Sequence, residues 1–363
     1  RPSILPYEVD HDLIEIGTLQ DWWVCEKMLQ RKRIVFRVIG SEKVGMGHIY
    51  RALSLAHEIT DHEILFVSDT DSNVAVNKLA GYEYWLGIYD PEDVIPQIIA
   101  LSPDIVINDI LSTTREHVSA LKEKGIKVVN FEDLGSGSQL ADLTINELYD
   151  EPKFSGGNIL WGRNYFFVRD EFTSARPHEF QEKVDAVLLA FGGTDQHDLS
   201  RKIYRAIRDI CGEYGAEIHI VTGPGYKGYN ELANEVSTNN SVFLTHATGV
   251  ISGIMEKTQL AITTNGRTVY ELAHMNIPSI VISQHDRERT HAFAREKNGV
   301  VSVGLYREGV TEARTVTELE HLFLDLEHRK KLFDRISSFE FSTNKEKVLN
   351  LMYELLDDHR PIP

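Results

Sequence analysis

Residues able to do chemistry cluster in four short stretches, and the sharpest is Val44-Gly45-Met46-Gly47-His48-Ile49-Tyr50-Arg51. Glycine lets a backbone approach a ligand closely, and the start of a helix offers unpaired amides to an anion. Gly45-x-Gly47 lacks the third glycine of a dinucleotide fingerprint and the Lys-Ser/Thr end of a P-loop, so it implies neither. His48, at the mouth of the expected helix, gives the stretch its specificity. The positive end of a helix favours the neutral imidazole, which can accept a proton as a general base; the alternative is a histidine that only caps the helix.

The second stretch, Phe191-Gly192-Gly193-Thr194-Asp195, follows an apolar run with a Gly-Gly pair, a hydroxyl and a carboxylate, which suits a turn facing a ligand. The competing reading has Asp195 or Asp198 capping the next helix. In the third, Asn265, Gly266, Arg267 and Thr268 open a helix whose amides would meet a diphosphate, and Arg267 could neutralise its charge. Glu271, one turn in, is placed to accept both hydroxyls of a ribose. Arg267 reads equally well as a surface arginine. The fourth runs from Ser283 through Gln284, His285, Asp286, Arg287, Glu288, Arg289 and Thr290 to His291. Gln284 could meet sugar hydroxyls, and the later charges read as a solvated helix face. No ligand triad at metal spacing accompanies His285 and His291, so no metal is expected there.

These stretches need strands and helices to position them, and the hydrophobic pattern supplies both. Ile34-Val35-Phe36-Arg37-Val38-Ile39 is a near-continuous apolar run of the kind found in parallel strands, and a helix from about 48 to 59 follows it. Strand 63–67 with helix 72–80, and strand 104–108 with helix 113–124, repeat the unit; strand 126–131 closes the first half. The glycine- and proline-bearing segment 132–180 reads as the end of the first sheet plus a crossing. A second series follows, with strands at 184–191, 217–222, 241–245, 259–263 and 278–283. Its helices fall from about 198 and at 228–237, 249–257, 267–275 and 287–297. A last helix, about 344–357, could return to the first half. Strands alternating with helices predict an α/β protein with two Rossmann-like parallel-sheet domains, 33–180 and 181–342, facing a cleft. Ligands then bind outside the carboxyl ends of the strands, where all four stretches fall.

Composition narrows the partners. With 55 acidic against 38 basic side chains the net charge is −17, a field that repels phosphate backbones and anionic lipid. Nucleic acid and membrane surfaces are therefore poor partners, while a small anionic ligand bound by backbone amides is not excluded. No run of about 18 apolar residues occurs, so no membrane insertion is expected. The two cysteines, Cys25 and Cys211, form neither a disulfide framework nor a zinc pattern. Both lie in helix-like stretches and read as packing residues, which fits a reducing cytoplasm. A chain that starts at Arg1, without Met or a leader, reads as a piece of a longer protein.

Several short motifs stand out along the chain: Gly45-x-Gly47-His48-x-x-Arg51, Asn130-Phe131-Glu132-Asp133, and Ala141-Asp142-Leu143-Thr144-Ile145-Asn146. Gly162-x-x-Tyr165-x-x-x-Arg169-x-Glu171-Phe172, Phe191-Gly192-Gly193-Thr194-Asp195 and Thr268-x-x-Glu271 complete the series. From about 33 to 357 the chain resembles the UDP-sugar hydrolases of pseudaminic acid synthesis and the related spore-coat polysaccharide proteins. These belong to the GT-B superfamily, with the UDP-GlcNAc transferase that makes lipid II. The resemblance implies a reaction needing no metal or cofactor, in a cleft between two Rossmann halves. Nucleotide would lie on the C-terminal half, with Glu271 on the ribose and residues 192–194 and 266–268 near the diphosphate. His48 would be the general base, activating water in a hydrolase or an acceptor hydroxyl in a glycosyltransferase. A third reading is a domain that binds a nucleotide sugar without turning it over. One segment departs from the family pattern: an Asp-His-Tyr-Gly-like run lining the sugar is replaced by Asn108-Asp109-Ile110-Leu111-Ser112, in which Asp109 keeps part of the role.

Residues 1–32 do not follow the alternation. Ile14-Glu15-Ile16 reads as a short strand, and Thr18-Leu19-Gln20-Asp21 resembles a capping box. Trp22, Trp23, Cys25, Met28 and Leu29 then give a helix an apolar face. The run from Ile14 to Trp22 is similar to the tail of acylneuraminate cytidylyltransferases, with Gly17 where those have Asp. It implies a parent chain that joins a CMP-sialic-acid-type synthetase to this domain in nonulosonic acid synthesis, with a homodimer formed through the synthetase region. The sugar implied is a UDP-diacetamido-trideoxyhexose.

Overall fold

Apolar residues alternate between the two faces of each strand, and each face meets a different helical layer. In the first strand, β1 (Arg33–Val38), Ile34, Phe36 and Val38 pack against Ile49, Leu53 and Ala56 of the helix Gly47–Ala56. Val35 points the other way, into a core with Val94, Ile98, Val118 and Leu121. Burial on both faces is what a parallel sheet requires. A computed structural model of the chain describes residues 15–41 and 45–356; Ile14 and Val44, singled out in the sequence, lie outside the described residues.

The first sheet continues with β2 (Glu63–Asp69), β3 (Trp85–Tyr89), β4 (Ile105–Asp109), β5 (Lys127–Phe131), β6 (Leu143–Asn146) and β7 (Ile159–Trp161). All its pairings are parallel, in the order β3-β2-β1-β4-β5-β6-β7. The second sheet holds β8 (Ala186–Ala190), β9 (Glu217–Thr222), β10 (Val242–His246), β11 (Leu260–Thr264), β12 (Ser279–Ser283) and β13 (Val300–Leu305), again all parallel, in the order β10-β9-β8-β11-β12-β13. Both orders reverse next to the first strand, at β1/β4 and β8/β11, and that reversal opens a crevice at the carboxyl ends. The α/β class and the two parallel, Rossmann-like sheets match the sequence expectation.

Several elements differ from it. The first sheet does not close at β5: β6 and β7 extend it, but strands of four and three residues are too short to show a period. β3 with the helix Val94–Ala100, and β13 with the helices Val310–Leu324 and Leu326–Ile336, are additional. The helix expected at 287–297 is a single turn, Asp286–Arg289, followed by irregular chain and a 3-10 turn at Glu296–Asn298. Residues 15–17 form no strand.

The two halves share a core. Phe166, from the crossing segment, stacks on Tyr270 of the helix Thr268–His274 at 4.3 Å between ring centroids, and Tyr270 stacks on Phe293 at 4.3 Å. The helix Asn344–Leu356 packs Val348 and Met352 into the core around β1. The helix Leu19–Leu29 behaves differently. Its capping box forms, with Thr18 N–H donating to Asp21 Oδ2 at 2.7 Å and Asp21 N–H to Thr18 Oγ1 at 3.2 Å, yet none of its residues is buried. Trp22 and Trp23 are each 56% exposed, and Cys25 is half-buried rather than a core residue; Cys211 is buried.

Met352→Ala should therefore cost about 2–5 kcal/mol by leaving a cavity in the first core. Trp23→Ser should change stability by no more than about 0.5 kcal/mol, because Trp23 is 56% exposed and belongs to none of the buried clusters among the described residues. Urea unfolding of the two variants checks both, and a large loss in Trp23→Ser would mean that the helix is docked.

Candidate functional site

One wall of the cleft is built from the ends of β1, β4, β5 and β6. Gly45 adopts a φ of 82°, open to glycine at little cost, and the chain then turns directly into the helix Gly47–Ala56. His48 does not cap this helix. Met46 is the cap residue, without a side-chain bond, and the His48 ring turns toward β4, where Nδ1 lies 2.5 Å from Asp109 Oδ1. A carboxylate only accepts, so Nδ1 carries the hydrogen and the lone pair resides on Nε2.

Arg51, one turn along the same helix and 1% exposed, organises the acids behind His48. Its Nε donates to Asp109 Oδ2 at 2.7 Å, and its terminal nitrogens donate to Asp109 Oδ1, to Glu132 Oε1 at 2.8 Å and to Glu147 Oε1 at 2.8 Å. Its guanidinium carbon sits 4.9 Å from the Phe131 ring centre. Asp109 ends β4, Glu132 follows β5 and Glu147 follows β6, so adjacent strands deliver the three carboxylates. Burial alone would push the Asp109 carboxyl up, but Arg51 and His48 outweigh it and hold it below its ordinary value. Burial opposes ionisation of Glu132 too, and Arg51 foremost overcomes it and drives the carboxyl far down. Glu132 and Leu111 both take left-handed backbone, φ 51° and 75°, the kind of strain that gathers at functional sites.

The opposite wall comes from the second sheet. Gly192 has a φ of 81°, and a Cβ on Gly193 would lie 2.8 Å from Met46 Cγ across the cleft, so the two glycine turns meet. Arg267 reaches across to Glu147 and donates to the Phe167 carbonyl at 2.8 Å, while Arg287 donates to the Glu132 carbonyl at 2.6 Å. Burial, then the neighbouring Arg51, brings the Arg267 guanidinium down to about 10. Arg169 grips Glu271 with two bonds, at 2.7 and 3.2 Å. Burial pushes the Glu288 carboxyl up to about 7, although backbone amides of Gln284 and Asn265 oppose it.

Gly45, Gly47, His48, Gly192, Gly193, Thr194, Gly266, Arg267, Thr268, Glu271 and Gln284 all line this one cleft. Arg51 and Asp109 stand behind His48, as just described. Three further residues taken from the sequence do not line it either. Asp195 accepts from the backbone N–H groups of Leu199 and Ser200, both at 2.7 Å, and so serves the start of the next helix; Asp198, the cap residue, makes no such bond. The Asn265 side chain donates to the carbonyls of Glu288 and His291, bracing that segment. Tyr165 lies under Lys347, whose Nζ is 4.1 Å from the ring centre. Glu132, Arg169 and His291 line the cleft without having been assigned a role from sequence. Arg287 and Glu288, expected on a solvated helix face, line it too, because only one helical turn forms there and the chain runs along the cleft. Buried Glu147 is bonded to the lining residue Arg267. A signal for Glu132 was available: it directly follows the strand Lys127–Phe131, at the carboxyl end where ligands bind, whereas Glu147 follows a strand too short and too polar to mark it. Among the described residues no group of His, Cys, Asp and Glu could hold a metal ion, and no helix is long and apolar enough to cross a membrane.

With two Rossmann-like parallel-sheet domains facing a cleft, the fold is GT-B-like. MurG of Acinetobacter baumannii matches it at a TM-score of 0.63 and 11% identity, over 89% of this chain and 99% of MurG. Anabaena Alr3699/HepE, in complex with UDP and glucose, matches at 0.60 and 11% identity, over 89% of this chain and 100% of that one. In sequence the chain is similar to an uncharacterized protein of Methanocaldococcus jannaschii, 27% identical over 271 residues. That match covers 69% of this chain but 55% of the relative, so the chain spans about half of that protein's length. It is also similar to the spore coat polysaccharide biosynthesis protein SpsG of Bacillus subtilis, 26% identical over 288 residues, 75% of this chain and 83% of SpsG. No family model matches.

Removing Arg51 should be costly, because it strands buried carboxylates. Arg51→Met is expected to destabilise by about 3–5 kcal/mol at pH 7. The depressed Asp109 and Glu132 values mean that in the wild type their contribution is present above the unfolded carboxylate range, near pH 4, and is lost as pH falls through the folded values. In Arg51→Met the sign reverses: those carboxyls rise, and the variant should gain stability as pH drops from 7 to 5. Thermal melts across that range test this, and a parallel pH dependence in both proteins would refute it.

Proposed function

We propose that the chain is a nucleotide-sugar hydrolase that releases UDP from a UDP-activated sugar, with His48 as its general base. The observation carrying this reading is the His48–Asp109 pair, fixed by Arg51, facing a wall of glycine turns and arginines across one cleft. Support comes from the similarity to SpsG, a spore coat polysaccharide biosynthesis protein, and from a fold shared with a protein crystallised with UDP and glucose.

In this reading Nε2 of His48 takes a proton from water as the water oxygen bonds to the anomeric carbon. The bond from that carbon to the diphosphate oxygen breaks, and its electron pair leaves with UDP. Asp109 holds the ring through Nδ1 and stabilises the imidazolium that forms, and Arg51 keeps Asp109 ionised. The nucleotide lies on the second half. Gly192, Gly193, Thr194, Gly266 and Thr268 let the backbone approach the diphosphate, and Arg267 is the cation that meets it. Arg267 is held by Glu147 and the Phe167 carbonyl, and an incoming phosphate would take over the donor that Glu147 now occupies. Glu271 takes the ribose hydroxyls on the lone pairs that Arg169 leaves open. We assign the sugar to the UDP-diacetamido-trideoxyhexose class of nonulosonic acid synthesis, and the domain to a bifunctional parent that also carries a CMP-nonulosonate synthetase. Both assignments rest on the sequence motifs.

Transfer to an acceptor hydroxyl would use the same base, and solvent isotope separates the two. Incubated with a panel of UDP-sugars in oxygen-18 water without acceptor, the protein should release UDP and place the label in the sugar. UDP release that requires an acceptor would establish a transferase, and UDP binding without turnover of any sugar would establish a binding domain. His48→Ala should lower kcat by about 10²–10⁴ while UDP affinity holds. Loss of both together would make His48 structural.

A further inference from the structure

The segment after β12 contains a second histidine in the cleft, one that the reaction above does not use. His291 lines the cleft but is only 8% exposed. Its Nδ1 lies 2.6 Å from the carbonyl oxygen of Asn265, and a carbonyl can only accept, so Nδ1 carries the hydrogen and Nε2 the lone pair. The Tyr149 ring meets the imidazole edge-on at 5.1 Å and limits its rotation. Burial, the largest influence, lowers the imidazole's proton affinity; Glu132 and the Asn265 carbonyl oppose it, and Arg287 and His285 reinforce it. Nε2 finds no hydrogen-bond partner among the described residues, a state native interiors seldom leave unexplained.

The surroundings indicate what is missing. The Gln284 amide nitrogen points at the Phe191 carbonyl, 3.4 Å away, which turns Oε1 away, also buried and unpartnered. The arginines of the cleft are already engaged: Arg169 with Glu271, Arg267 with Glu147 and the Phe167 carbonyl, and Arg287 with the Glu132 carbonyl. This part of the cleft therefore presents acceptors whose donors the protein does not supply. Glu132 links the two walls: its carboxylate is bonded by Arg51, which also holds Asp109 behind His48, and its carbonyl accepts from Arg287 of the segment that carries His291, so both imidazoles line the same cleft. Phosphate cannot satisfy such an acceptor; a hydroxyl or an amide N–H can.

We infer that His291 is a specificity residue whose Nε2 accepts a hydrogen bond from a hydroxyl or amide N–H on the sugar of the bound nucleotide sugar. The inference rests on the nucleotide-sugar reading and deepens it, because it adds to Gln284 a second residue of that half that reads the sugar. A site built to accept such a bond discriminates against ligands that lack the donor, since its buried acceptor is then left unmet.

The test is a ratio. Dissociation constants for UDP, UDP-glucose and UDP-N-acetylglucosamine are measured by calorimetry for the wild type, His291→Ala and His291→Gln. In His291→Ala the UDP constant should stay within about twofold. The ratio of the sugar-nucleotide constant to that of UDP should rise roughly three- to tenfold for at least one sugar, the worth of one hydrogen bond. His291→Gln, which can offer an amide oxygen, should recover part of that loss. Ratios unchanged in His291→Ala, or UDP weakened in step with the sugar nucleotides, would overturn the inference, the second by showing a structural role. Failure of the wild type to bind UDP at all would instead sink the functional reading on which the inference stands.

Discussion

A single guanidinium, shut away from solvent, must neutralise acids arriving from three strand ends, and much of the cleft follows from that requirement. A buried carboxylate is tolerated only when paired, and Arg51 pairs with Asp109, Glu132 and Glu147 at once. Its planar fork suits the task because several donors point in fixed directions. With both Asp109 oxygens held by Arg51, the carboxylate has one orientation to offer His48, and the imidazole has one tautomer. The catalytic proposal for His48 is thus a consequence of where Arg51 can sit.

The same network ties the halves together. Glu147 is bonded by Arg51 from the first half and by Arg267 from the second. In the proposed reading, a diphosphate arriving at Arg267 would compete with Glu147 for that cation, so ligand binding would draw on a charge that also joins the halves. Beneath them, with the Arg267 guanidinium 4.5 Å over the Phe166 ring, lies the aromatic junction of Phe166, Tyr270 and Phe293. It fixes the spacing of the walls while the ions set their chemistry. Where the turns touch, at Gly193 and Met46, the absence of a side chain lets the walls come this close.

Much of the fold was legible in the sequence because a buried parallel strand is a continuous apolar run, as in Ile34–Val38 and Val187–Ala190, and each run is followed by an amphipathic helix. Some of the misses come from short elements. β6 and β7 are too short to show a period, and Asp286–Arg289 is one turn of helix where charge spacing mimicked several. At the site, glycines and helix starts marked the backbone of the cleft correctly. Asp195, Asn265 and Tyr165 were placed there by their neighbours in sequence, yet a side chain one residue along from a lining residue can point behind the wall, as Asp195 does.

By itself, then, the sequence determined the alternation of strands and helices, the glycine turns at the strand ends, and the presence of His48 beside them. These depend on contacts between near neighbours along the chain. Only the tertiary structure decided which acid holds His48, that Arg51 is buried rather than a ligand contact, that Glu271 pairs with Arg169, and that His291 keeps an open nitrogen in the cleft. Each of those pairings joins residues on different strands or different halves, and strand order, which fixes the distances between them, is set by packing rather than by position in the chain.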